Sequence, residues 1–72
     1  MKMTLHEAMI KVLKENGGFM TFNALADEIY RQDLYKQKAG TKAPYSQIRL
    51  RAKNYGQYFA IEEKGVKLLH NQ

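Results

Sequence analysis

The sequence predicts a mainly helical α+β domain of three helices followed by a C-terminal β-hairpin. Three observations lead there. Two apolar stripes at helical spacing occupy the first half of the chain, each ending in turn residues. A third, proline-led stripe follows a basic loop. Two short alternating runs then surround Glu63-Lys64-Gly65.

Thr4-Leu5-His6-Glu7 reads as a capping box, in which the threonine hydroxyl and the glutamate each satisfy a free backbone N–H of the other. Leu5, Ala8, Met9, Val12 and Leu13 recur at helical spacing, with Lys11, Lys14 and Glu15 off that face. Asn16-Gly17-Gly18 ends the helix, since glycine readily takes the left-handed turn that follows one. Phe19 and Met20 read as a short apolar link. Thr21 or Asn23 suits the cap of a second helix that buries Phe22, Leu25, Ala26 and Ile29, with Tyr30 beside them. Asp27 and Glu28 are placed near its start, where negative charge complements the helix dipole. Leu34 and Tyr35 are expected to fold back on the core where this helix stops.

Lys36 to Ala43 has the composition of an exposed loop. Pro44 fits the first turn of a third helix, running from about Pro44 to Tyr55. With Ile48 at the centre of its buried face, a rotation of roughly 100° per residue brings Ala52, Tyr55 and Tyr45 beside it. Ser46, Leu50, Lys53 and Asn54 then point away, with Gln47, Arg49 and Arg51 on the flanks. Gly56 breaks the helix. From Tyr58 to Leu69 the pattern is a hairpin, Phe59, Ile61, Val66 and Leu68 alternating with their neighbours. Glu63-Lys64-Gly65 supplies its turn, with glycine available for a left-handed conformation.

Seventy-two residues point to one domain spanning 1–72, and 44% hydrophobic content is enough for a compact core. There is no cysteine, so neither disulfides nor thiolate metal sites reinforce it. The start, MKMTLHEAM, has no apolar run long enough for a signal peptide, and no window approaches a membrane span. An intracellular, cytoplasmic protein with no membrane partner is expected.

Charge is divided unevenly. Residues 1–35 hold four Lys or Arg against five Asp or Glu, whereas residues 36–72 hold eight against two. No acid occurs from Leu34 to Ile61. Such asymmetry points the second half toward a polyanion. Lys36, Lys38 and Lys42 in the loop fit sequence-independent phosphate contacts. On the third helix, Arg49, Arg51 and Lys53 fit phosphate or guanine contacts, and Ser46, Gln47 and Asn54 fit base edges. Leu50 fits a thymine methyl or a protein partner. A solvated helix face and a loop kept soluble by lysine account for the same residues more plainly.

The remaining chemistry-bearing residues have simpler assignments. The five tyrosines suit stacking on unpaired bases, but at least three fall on predicted core faces. The four methionines are assigned to the core, apart from the start. His6 and His70 have no ligands at metal spacing, and Asp27-Glu28 and Glu62-Glu63 are adjacent pairs whose side chains diverge. No nucleophile–base set and no Gly-rich phosphate loop can be assembled, so neither catalysis, cofactor nor metal is expected.

Three helices and a hairpin in this order describe a winged helix-turn-helix, with the third helix where a major groove can receive it. The chain further resembles the HARE-type winged helix domain of Asx-like chromatin proteins, restriction endonucleases and the RNA polymerase delta subunit. The resemblance runs from about Thr4 to Leu69. It is carried by Leu5-His6-Glu7-Ala8 with Val12-Leu13, by Gly17-Gly18-Phe19-Met20-Thr21-Phe22 and by Ala26-Asp27-Glu28-Ile29. It continues through Leu34-Tyr35, the stretch from Pro44 to Arg51, and Phe59 with Gly65. It implies a module that binds DNA, duplex preferred, or docks on nucleic-acid machinery such as RNA polymerase. Arg49 and Arg51 stand where the family often has arginine. Glu62-Glu63 departs from the glycine or basic wing turn of the family. Oligomeric state is left open.

Overall fold

The computed structural model describes residues 3–37 and 39–69. In chain order the elements are α1 (Leu5–Glu15), β1 (Phe19–Thr21), α2 (Phe22–Arg31), α3 (Tyr45–Asn54), β2 (Phe59–Ile61) and β3 (Gly65–Leu68). This is the winged helix-turn-helix arrangement predicted from sequence, with one strand more than expected.

α1 begins where the capping box places it. The Glu7 amide donates to Thr4 Oγ1 at 3.4 Å, and the Thr4 amide donates to Glu7 Oε1 at 3.0 Å. The Thr4 amide, and after it the Thr4 side chain, favour the ionised carboxylate, so the Glu7 pKa lies below its ordinary value. Leu5, Ala8, Met9, Val12 and Leu13 are buried. The helix ends as the Gly18 amide reaches back to the Leu13 carbonyl at 2.7 Å, with Gly17 and Gly18 at φ +85° and +92°.

The expected link Phe19–Met20 is β1, paired antiparallel with β3 in the register Phe19–Lys67, Met20–Val66, Thr21–Gly65. Thr21 ends the strand and caps α2, its Oγ1 accepting from the Ala24 amide at 3.2 Å. The strand therefore turns straight into the helix. Asp27 and Glu28 lie beyond its first turn, which holds no acid, so they do not neutralise the helix start as expected. At the other end Asp33 takes φ +59° and the Leu34 amide donates to the Ile29 carbonyl at 3.1 Å. Leu34 and Tyr35 are thereby folded back against the core.

β3 is the middle strand of a β1-β3-β2 sheet, antiparallel to both neighbours. Gly65 opens β3 instead of forming the left-handed turn residue, and it is not at positive φ. Its lack of a side chain serves the close passage of β1.

Leu5, Met9, Val12, Leu13, Leu25, Ile29, Ile48 and Val66 are fully buried where the three helices meet the sheet. Among the described residues no polar or charged residue is buried. α3 gives this core only Ile48 and Ala52. Tyr45, expected beside them, is instead 47% exposed. The core thus fixes one narrow side of α3 and leaves the rest to solvent.

Candidate nucleic-acid interface

Pro44 stands one position before α3, as its N-cap in extended geometry (φ −77°, ψ 164°), and gives no side-chain cap. Its carbonyl accepts from the amides of Gln47 at 3.0 Å and Ile48 at 3.1 Å, which starts the helix. Because Ile48 and Ala52 face inward, Ser46, Arg49, Leu50, Lys53 and Asn54 are exposed. Gln47 and Arg51 are half-buried on the flanks. Gln47 is turned toward the protein, its Nε2 donating to the Tyr35 hydroxyl at 3.4 Å. Tyr45, Ser46, Arg49, Leu50 and Lys53 line one shallow depression on the outer face.

A helical wheel sets Tyr45 near Ile48 and hence in the core. At the first position of α3, however, it lies beside Phe22, the first residue of α2, and not among the buried side chains. Its ring meets Phe22 edge-on, with centroids 4.9 Å apart and planes at 60°.

The loop before α3 closes on itself. The Gln37 amide donates to the Thr41 carbonyl at 3.1 Å, and the Gly40 amide to the Gln37 carbonyl at 2.8 Å, with Gly40 at φ +80°. Lys42 Nζ lies 2.5 Å from Asp27 Oδ1 of α2. Lys36 Nζ lies 3.1 Å from Asp33 Oδ1 and 5.8 Å from the centroid of the Tyr30 ring. Lys38 lies outside the described residues. By contrast, none of the described residues forms an ion pair with Arg49, Arg51 or Lys53. Among the described residues, the α3 cations therefore have no ion pair to break first, whereas Lys36 and Lys42 do. Exposed ion pairs are worth only about 0–1 kcal/mol, so a phosphate can take over such a lysine.

The hairpin tip carries Glu62, Glu63 and Lys64, all exposed, and is closed by the Glu62 amide donating to the Gly65 carbonyl at 2.8 Å. At the C-terminal end of α3, the His6 ring stacks on Tyr55 with centroids 4.0 Å apart and planes at 15°. Tyr58 lies near-parallel to His6 at 6.4 Å, and His6 Nδ1 is 3.2 Å from Thr4 Oγ1. His6 thus does more than accompany the capping box: it joins α1 to the end of α3. Among the described residues no three His, Cys, Asp or Glu side chains could hold a metal, and no helix is long and apolar enough to cross a membrane.

The model of the HARE-HTH family, a helix-turn-helix domain described for ASXL proteins and restriction endonucleases, matches residues 3–52, more than half of the chain. The chain belongs to the HARE-HTH family. Membership makes it a helix-turn-helix module of a kind associated with DNA binding. No curated protein and no solved structure matches the chain. The HARE-HTH match ends within α3, so the strands β2 and β3 lie beyond it.

Proposed function

We propose that this chain acts as one duplex-DNA-binding module in transcription regulation or DNA processing within the cytoplasm. α3 enters the major groove, and the loop lysines, Lys38 among them, sit on flanking phosphates. The observation that carries this reading is the outward face of α3, where Ser46, Arg49, Leu50, Lys53 and Asn54 are exposed and no carboxylate occurs from Leu34 to Ile61. Family membership supports the same partner.

The division of labour follows from chemistry. Arg49 on the exposed face can grip guanine O6 and N7 with its fork, while Lys53 neutralises phosphate as a point charge. Ser46 and Asn54 offer hydrogen bonds to base edges. Lys36 and Lys42 exchange Asp33 and Asp27 for phosphate oxygens, which positions α3 without reading sequence. Arg51 and Gln47, half-buried, contribute at the rim. A mobility-shift titration of duplex DNA at two salt concentrations tests the proposal. Binding that weakens steeply with salt is expected, and no binding at low salt sinks it.

A second reading, docking on a protein such as RNA polymerase, is favoured by Leu50, which is 57% exposed in the middle of the same face, and by the acidic hairpin tip. If Leu50→Asp abolishes capture of polymerase while Arg49→Ala and Lys53→Ala leave it intact, this reading replaces the first.

A further inference from the structure

We propose that Tyr45 and Leu50 flank Arg49 as an apolar pair that reads the methyl groups of thymines adjoining a guanine. The inference rests on α3 being the DNA-facing helix and adds to it a preferred class of base step.

Tyr45 is the unexpected member. It is an aromatic residue left 47% exposed on a helix that has only a small buried side. Its ring is held by edge contact with Phe22 of α2, so its direction is set by a neighbouring helix and not by solvent alone. Tyr45 and Arg49 stand four residues apart and are neighbours on the helix surface, as are Ser46 and Leu50. Arg49 thus stands beside the Tyr45 ring on the helix surface, and Leu50 follows it on the outer face. All of these side chains, with Lys53, line one depression. The first turn of a recognition helix is the part that meets base edges, and Tyr45 is the first residue of α3.

In the major groove, guanine presents two acceptors to a guanidinium fork, and thymine alone presents a methyl. A ring and a leucine beside the fork gain from covering that methyl. Against the amino group of cytosine or adenine they leave a donor without a partner, which is unfavourable. Discrimination of about fourfold per covered methyl is expected from the burial of one carbon.

The test uses three duplexes of equal length: a repeating TG·CA sequence, its twin with every thymine replaced by uracil, and a repeating GC sequence. Fluorescence anisotropy at low salt should show the first bound severalfold more tightly than the other two. Tyr45→Ala and Leu50→Ala should each bring the thymine-to-uracil ratio toward one while leaving the salt dependence unchanged, and Tyr45→Phe should keep the ratio. Leu50 contributes nothing to the core, so its variant carries the test even if Tyr45→Ala folds poorly. Equal affinity for thymine and uracil duplexes overturns the inference. So does a ratio that survives in both alanine variants, because it then belongs to DNA stiffness. If the wild-type protein binds none of the three, the DNA reading itself fails.

Discussion

Gly65 and Met20 approach so closely across the β1–β3 pair that a Cβ on the glycine would stand 2.2 Å from the Met20 carbonyl oxygen. The Thr21 Cα would be 2.8 Å away. Both obstacles are backbone, and neither can swing aside. The strand that leads into α2 thus lies tight against the strand that leads out of the hairpin turn.

Gly65→Ala should therefore push β1 off the sheet and lower stability by about 1–3 kcal/mol, in the range of overpacked cores. Gly56→Ala is the control, since its nearest obstacle is the Lys53 carbonyl oxygen at 3.9 Å. Urea unfolding of both variants checks the contrast, and equal midpoints would remove the steric account.

The two sides of α3 should separate cleanly. Ile48 is fully buried and Leu50 is exposed two residues later. Ile48→Ala should cost about 2–5 kcal/mol, and Leu50→Ala no more than about 0.5 kcal/mol. Thermal melts followed by circular dichroism distinguish them.

Salt dependence should sort the cations. Arg49→Ala or Lys53→Ala should flatten the slope of log affinity against log salt by about one each. Asp27→Asn should act in the opposite direction: with its partner carboxylate neutralised, Lys42 is released for phosphate, and affinity at low salt should rise by no more than about fivefold. An unchanged or weaker affinity in Asp27→Asn would mean that Lys42 does not meet DNA.

Acid should loosen the α1–α2 junction. The Arg31 side chain, then Gln32, hold the Glu28 carboxyl down from 4.5 to about 2. Gln32 also donates to Glu15 at 3.0 Å and accepts from Lys11 at 3.2 Å, which ties the two helices together. A carboxyl depressed in the folded state stabilises it fully above its unfolded pKa. That stabilisation is lost as pH falls from about 4.5 through about 2. Unfolding measured across this window should show Glu28→Gln with a flatter acid limb than wild type. Salt should shrink the difference, because the pair is exposed.

What the sequence disclosed was local chemistry. Thr4 and Glu7 are three apart, and their reciprocal bonds need no knowledge of the rest of the fold. The inward positions Ile48 and Ala52 follow from helical rotation alone. Apart from the placing of Asp27, Glu28 and Pro44 within their helices, the failures are non-local. β1 is three residues long and owes its existence to β3, whose pairing residues lie far along the chain. Gly65 reads as a turn residue because its obstacle, Met20, is equally remote. The partners of Lys42 and of His6 are likewise distant in sequence, Asp27 and Tyr55. Tyr45 escapes a wheel because a wheel gives direction around α3 and not what packs there; its ring contact, Phe22, is again remote in sequence.

The position of β3 between two hydrogen-bonded neighbours has a thermodynamic consequence for recognition. A hairpin attached by one edge can bend toward a ligand and must then be ordered at an entropic cost. Here β3 is held on both edges, so the strands and α3 meet a partner already in their final arrangement. Within the sheet, the short tip around Glu62 to Lys64 and, before α3, the loop lysines are left to adapt. Association should therefore be close to rigid-body docking, with little conformational entropy spent on the protein side.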